Sequence, residues 1–453
     1  MLDYKIINAE IIDVENEKTH IKDIGIKDGI IEKIGDNIGD AKQTIDASNK
    51  YTSAGFIEIH MHEEDLKITE RKDYDISLAL LNNGVTTAVG GNCGSNRNDL
   101  KEFFEFIKQY GYPVNYMTYV GHNSLREKTG NTDPYIKSTK AQIEKIQTLV
   151  VEAIADGAVG LSYGLEYCPG IDLEEAINIA EKIKNRNDLL LAFHARYDSK
   201  KALEAIDEID TIVSNLHIPA QISHLSSVCA YGNMNECLTK IEMMIDKGLD
   251  IMADAYPYNA FSCKIGSTVF DEGCFDNWGK SYDSVMLAEE PYKGVICTKE
   301  LFYKVRKEYP KMYVIAMMMN EDEIIQALKK PYVFAASDGG YNNHQGHPRG
   351  AGTFAKILGD YCLRKNEMSL FETIGKMTVM PARRLRIENK KGFIKEGYDA
   401  DIVIFDKNVI DQASFQEPQK PPVGIDYVFV NGGLSIQKGQ YTNSNYGRYI
   451  KRQ

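Results

Sequence analysis

The chain has 453 residues, 43% hydrophobic and 26% charged, with a formal net charge of −12. That length accommodates an α/β barrel of roughly 250 residues with an appendage, and an acidic chain with scattered Lys and Arg argues against nucleic acid as a partner. No stretch approaches the ~20 apolar residues of a membrane span, and Met1-Leu-Asp-Tyr-Lys-Ile-Ile7 lacks the basic-then-apolar pattern of a secretory leader. A cytoplasmic protein with a small-molecule partner and no membrane association is the expectation, and a homo-oligomer stays open. Eight cysteines with no Cys-x-x-Cys pair are expected as free thiols in a reducing compartment.

Residues 1–55 read as short strands, Tyr4 to Asp13, His20 to Gly29 and Ile30 to Gly35, with Asp-Gly punctuation between them. The C-terminal region, 384–453, repeats that grammar in Gly392 to Phe405, Val428 to Gly432 and Leu434 to Gln437. Neither half has enough strands to bury a face alone, so the two ends are expected to meet in one small β-domain. Residues 56–383 alternate strand and helix, the rhythm of a parallel sheet. The expected strands are Gly55 to His62, Thr86 to Gly91, Asn115 to Val120, Val159 to Tyr163, Leu189 to His194, Ala220 to His224, Ile251 to Tyr256 and Val333 to Ser337. Eight such units predict a (β/α)8 barrel of TIM type, with catalytic groups at the C-terminal strand ends. Amphipathic stretches such as Lys140 to Ile154 and Leu173 to Ile183 supply helices, and residues 259–330 form an insertion expected to cover the barrel mouth.

The chemistry sits at the strand ends. His60 and His62 are i and i+2 on the first strand, so both imidazoles project to one side and can share a metal ion. His-x-His alone is a weak signal, since two ordinary loop histidines have the same spacing. Its weight comes from its company: Cys93 after the second strand, His122 after the third, His194 at the fifth, His224 at the sixth and Asp338 at the eighth. Cys93 lies in Gly90-Gly-Asn-Cys-Gly94, where glycines allow a sharp turn into the mouth. A thiolate binds zinc well beside imidazoles; a buried inert thiol is the ordinary alternative. Asp338, in Ala336-Ser-Asp-Gly-Gly340, leaves an apolar run at the barrel mouth, with a plain turn Asp as its alternative. His122 either orients substrate or bonds a loop. His344 and His347, in a Gly- and Asn-rich loop, read as a flexible lid, and Cys168 reads as structural. The fourth strand holds no lysine, which leaves no carboxylated-lysine bridge there.

Taken in order, Gly55-Phe-Ile-Glu-Ile-His-Met-His62, Gly91-Asn-Cys-Gly94, Gly121-His-Asn-Ser-Leu-Arg126, Ile222-Ser-His224, Asp254-Ala-Tyr-Pro-Tyr258, Ser337-Asp-Gly-Gly340 and His347-Pro-Arg349 resemble the amidohydrolase superfamily. Within it, the chain is similar to the N-acyl-D-amino-acid deacylases, or D-aminoacylases. The resemblance implies a tight zinc site of Cys93, His194 and His224, and a looser second site of His60, His62 and Asp338. It also implies that Asp338 acts as base and then acid, carrying a proton to the leaving amine. The activity implied is zinc-dependent hydrolysis of N-acyl-D-amino acids or D-residue dipeptides.

One departure stands out. Many members follow the sixth-strand histidine with His-Lys, whose lysine suits the substrate carboxylate, whereas this chain reads Leu225-Ser226-Ser227. Arg196, two residues beyond His194 and on the same face if the strand continues, is the replacement candidate. Lys264 is next, with Tyr258 and His122 as further candidate substrate contacts. One rival is a cyclic-amide hydrolase of the dihydroorotase or hydantoinase kind, disfavoured by the missing fourth-strand lysine. Another is a non-catalytic binding barrel, disfavoured by the complete ligand set.

Overall fold

The computed structural model describes residues 1–64, 74–97 and 100–452. Parallel strands Phe56–Glu58, Val85–Gly90 and Asn115–Thr118 pair in that order. The third strand is interrupted at Tyr119 and resumes as Val120–Gly121, which pairs with Gly160–Gly164. Leu190–His194, Ala220–Ile222, Ile251–Ala255 and Val333–Ala335 follow edge to edge. The circle closes where Asp338 N donates to His60 O at 2.9 Å and His62 N donates to Gly339 O at 2.8 Å. The expected strands are present in the expected order, and together they make the (β/α)8 barrel.

Both faces of these strands are covered, which is why they read as continuous apolar runs. Ile57, Val89, Met117, Leu190 and Phe334 come from strands around the ring and cluster in its interior. The opposite faces, Phe56, Leu161, Leu191 and Ile222 among them, pack with helix residues such as Ile146 and Ile206. Helix Lys140–Ala155 starts at a capping box between Thr139 and Gln142. The helix expected over Leu173 to Ile183 is shorter: Leu173–Asn178, then a 3-10 turn at Glu181–Ile183, because Ala180 (φ −100°, ψ 2°) leaves the helical region.

The chain changes sheets at Gly55. Lys50–Ala54 belongs to a second sheet, where it pairs with residues 402–406, and Phe56 begins the barrel. A Cβ on Gly55 would lie 2.2 Å from Thr86 Oγ1, so only glycine lets the chain pass this close from one sheet to the other.

The second sheet has nine strands drawn from both chain ends. Its order is Gln440–Tyr441, Gly433–Gln437, Val423–Val430, Ile402–Ile410, Lys50–Ala54, Leu2–Asp13, Lys18–Lys27 and Ile30–Gly35, with Ala41–Asp46 also on Leu2–Asp13. Ile6, Ile24, Ile402, Ile404 and Phe429 bury together in its core. The strand Ala41–Asp46 escapes a sequence reading because its centre, Lys42-Gln43-Thr44, is polar and exposed.

Between the seventh and eighth barrel strands, Ala260–Lys264, Val285–Leu287 and Tyr313–Met317 form a three-stranded antiparallel sheet. The rings of Phe261, Phe270, Phe275, Trp278 and Phe302 pack beside it. Trp278 Nε1 and Asn277 Nδ2 donate to Asp198, just past the fifth strand, at 2.7 and 2.8 Å. That contact ties the inserted segment to the C-terminal side of the barrel. Among the described residues, no helix is long and apolar enough to cross a membrane.

Candidate active site

Three residues at the C-terminal rim have left-handed backbone: Cys93 (φ 53°), His224 (φ 35°) and Asp338 (φ 49°). Non-glycine residues enter that region at a cost of roughly 1–3 kcal/mol each, a strain that persists where surrounding structure over-determines it. Around Cys93 the determinant is close packing. Gly91 (φ 73°) and Gly94 (φ 75°) flank it, and a Cβ on Gly91 would lie 2.3 Å from Tyr119 O. The turn therefore has no room for a side chain at Gly91 or Gly94, and it presents the thiol between them.

These turns bring six side chains from five strand ends together. Cys93 Sγ lies 3.3 Å from His60 Nε2 and 3.6 Å from His224 Nε2. His224 Nε2 lies 2.8 Å from His194 Nδ1. Asp338 Oδ1 lies 2.9 Å from His62 Nε2 and 3.3 Å from His60 Nε2. The donor atoms fall into two groups, Cys93 with His194 and His224, and Cys93 with His60, His62 and Asp338, each with its atoms within 4.8 Å of one another. Cys93 belongs to both.

Each inner imidazole is oriented from behind. His60 Nδ1 donates to Asp254 Oδ1 at 3.1 Å, and His194 Nε2 donates to Glu166 Oε2 at 2.9 Å. His224 Nδ1 donates to Ser227 Oγ at 2.8 Å, while the Ser227 hydroxyl donates back to His224 O at 3.0 Å. With those nitrogens protonated, the lone pairs of the other nitrogens face Cys93 and Asp338, the tautomers that metal ligation requires. Ser227, one residue past the position where the resemblance leads one to expect a lysine, thus serves the histidine. Asp254 also holds the neighbouring strand end, accepting from His224 N at 2.8 Å and Gln221 Nε2 at 2.6 Å. Asp254→Asn is expected to weaken metal binding about 10–100-fold, the usual cost of losing such a partner; competition with a chelator measures it, and unchanged affinity would show that His60 needs no carboxylate.

The donor set fits zinc. Two ligands of one tetrahedral zinc, sulfur at ~2.3 Å and nitrogen at ~2.0 Å, stand roughly 3.6 Å apart, and Cys93 and His224 show 3.6 Å. The charges fit as well. Without a metal, burial opposes ionisation of Cys93, but positive charge on His60 and hydrogen bonds from His194 and His224 hold the thiol well below its usual value. Burial likewise opposes charge on Asp338, and Arg349, His60 and His224 overcome it. A thiolate and a carboxylate side by side suit a dication better than any monovalent ion.

Beside this cluster opens a narrow cavity. Its wall includes Tyr167, Phe261, Ser262 and Cys263, the last three from the inserted segment. Arg349 also lines it. The guanidinium is buried, with Nη1 2.7 Å from Asp338 Oδ2 and its plane over the Tyr256 ring at 4.8 Å. Nη2 donates to Ser262 O at 3.3 Å, but Nε and Nη1 make no aligned hydrogen bond.

Other candidates sit elsewhere. Arg196 does not line the cavity: its guanidinium is held by Glu208, with Nε and Nη2 both at 2.8 Å, because the chain turns away after His194 and the strand face does not continue. Lys264 is exposed at the end of its strand, over Tyr313. Tyr258 is buried and donates to Asp411 Oδ2 at 2.6 Å. His122 bonds Glu175 Oε1 at 3.2 Å, the loop role among its two alternatives. His344 is exposed and pairs with Asp75. His347 is buried, not part of a loose lid, and its Nδ1 accepts from Arg349 N at 3.0 Å, which fixes the turn that presents Arg349. Arg349 itself was visible in the sequence only inside a motif, because it follows the inserted segment and the eighth strand, and no periodicity links its loop to the strand ends it joins.

A parallel barrel whose C-terminal rim gathers a thiolate, imidazoles and a carboxylate around a cavity is the architecture of a metal-dependent hydrolase. The chain belongs to the amidohydrolase family, whose model matches residues 51–434. It is 28% identical to D-aminoacylase of Alcaligenes xylosoxydans xylosoxydans over 99% of this chain and 98% of that protein. The structure of N-acyl-D-glutamate deacylase from Bordetella bronchiseptica, complexed with zinc and a phosphonate inhibitor, superposes with a TM-score of 0.88 at 26% identity, covering 99% of both chains. A D-hydantoinase structure superposes less well, with a TM-score of 0.65 at 19% identity over 100% of this chain and 99% of that one, and shows the fold alone.

Proposed function

We propose that the protein hydrolyses the amide bond of N-acyl-D-amino acids, or of dipeptides ending in a D-residue, releasing a carboxylate and a D-amino acid. The observation that carries this reading is Arg349, a buried guanidinium lining the cavity beside Asp338 with its Nε donor unsatisfied. An α-carboxylate next to the scissile amide would be the charge-matched acceptor for it. The relatives named for D-aminoacyl substrates supply the handedness.

In this reading Cys93, His194 and His224 hold the tight zinc site, and His60, His62 and Asp338 surround a second. A zinc ion held there would supply Lewis acidity, activating a water and polarising the scissile carbonyl. Asp338 takes the proton of the attacking water and delivers it to the leaving nitrogen. As the substrate carboxylate engages Arg349, Asp338 loses part of the counter-charge that holds it ionised, and its basicity rises when it is needed. The fourth strand, Gly160–Gly164, offers no lysine for the carboxylated bridge of the cyclic-amide enzymes.

Arg349→Met is expected to raise KM for N-acyl-amino acids by about 30-fold or more, with a much smaller change for an uncharged amide, as truncating one partner of a buried charged pair does. Equal effects on both substrates would remove Arg349 from substrate binding. The reaction itself is tested by kcat/KM on paired N-acetyl-D- and N-acetyl-L-amino acids with zinc-loaded protein. Equal rates on the two forms, or activity confined to a hydantoin or dihydroorotate, would overturn the reading.

A further inference from the structure

Among the described residues lining the cavity, Arg349 is the one Lys or Arg, yet three carboxylates line it: Asp338, which pairs with Arg349, and Glu166 and Asp198. Neither of the last two has a Lys or Arg partner among the described residues. Glu166 accepts from His194 Nε2 at 2.9 Å. Asp198 accepts from neutral donors, Trp278 Nε1 at 2.7 Å, Asn277 Nδ2 at 2.8 Å and Tyr231 OH at 3.5 Å. The nearby basic residues are committed elsewhere: Arg196 to Glu208, Lys200 to Asp276 O, and Lys201 over the Tyr197 ring. Asp198 is only 8% exposed. The same wall includes apolar Val228, Phe261 and Val269.

Resting on the reading of the protein as an N-acyl-amino-acid hydrolase, we propose that its side-chain pocket takes a basic residue, an ammonium or guanidinium on an aliphatic stem, and turns away acidic ones. The stem packs on Val228, Phe261 and Val269 while the head reaches the carboxylates, the split that long basic side chains make at any apolar surface with a polar end. The head supplies the counter-charge that the chain itself does not. An aspartyl or glutamyl side chain does the opposite. With Arg349 given to the α-carboxylate, it sets a further carboxylate against two that lack a Lys or Arg partner, and discrimination of this kind comes as much from repulsion as from attraction.

The test compares kcat/KM of the zinc-loaded enzyme for N-acetyl-D-lysine and N-acetyl-D-arginine with that for N-acetyl-D-glutamate. Basic substrates are expected to exceed the acidic one by about 100-fold or more, and Glu166→Gln, which keeps an oxygen for His194 but removes the charge, narrows that ratio by about tenfold. Because the readout is a ratio, a general loss of rate from disturbing His194 does not enter it. Equal rates on basic and acidic substrates overturn the proposal, as does a ratio unmoved in the Glu166→Gln, Asp198→Asn double variant. Calorimetric binding of the products D-lysine and D-glutamate makes the same comparison without turnover. If no N-acyl-D-amino acid is cleaved, the hydrolytic reading fails, while tighter binding of D-lysine still upholds the pocket and equal binding, or none, still overturns it.

Discussion

Turnover of the Asp338→Asn protein at saturating substrate is expected to fall by ~10²-fold or more, the scale of a lost general acid and base. The substitution keeps the side-chain shape between His60, His62 and Arg349, so the barrel closure at Asp338 N, a backbone bond, is preserved. It removes the capacity to accept and return a proton. Binding should change far less than rate, which separates this effect from loss of Arg349, whose signature is in KM. Near-normal turnover in the variant would mean that another group moves the proton, and Glu166, hydrogen-bonded to His194 at the same rim, would be the first to examine.

Cys93→Ala is expected to cost the most metal. Its sulfur is common to both ligand groups, so one substitution weakens both sites, whereas removing His62 or His194 touches one. The loss of zinc affinity should exceed the ~10–100-fold that follows removal of an outer partner such as Asp254. Alanine tolerates the left-handed backbone at φ 53° no worse than cysteine does, since both carry a Cβ. The fold should therefore persist, and metal analysis beside a circular-dichroism melt tells the two apart. Undiminished zinc in a folded variant would move the tight site away from Cys93.

The barrel strands were legible because burial on both faces writes an unbroken apolar run into each, and the ligand candidates because each run ends in a residue that apolar cores exclude. His60, His194, His224 and Asp338 stand out this way, one strand end at a time, while Cys93 is marked by the glycines of its turn. The cavity wall does not. Arg349 reaches Asp338 from a loop beyond the eighth strand, and Glu166, Asp198 and Phe261 meet there only because Trp278 ties the inserted sheet to the fifth strand's end. No local period records such meetings. Arg196 shows the limit of counting by twos: the rule holds while the strand lasts, and Leu190–His194 ends before Arg196. At Gly55 the chain changes sheets within one extended run.

That change of sheets bears on how the protein is made. Lys50–Ala54 leads directly into the segment that carries His60 and His62, and one of its two neighbours in the sheet is Ile402–Ile410. A ribosome therefore completes all six ligand candidates, the last at Asp338, well before it emits the strand that flanks the lead-in to the first. Until then the nascent chain carries an open β-edge at Lys50–Ala54, the kind of surface on which chains join one another. A message truncated between those two points would encode every metal-binding side chain and still yield a protein prone to aggregate, so the clasp at the end of translation, more than the ligands themselves, decides whether the centre is ever assembled.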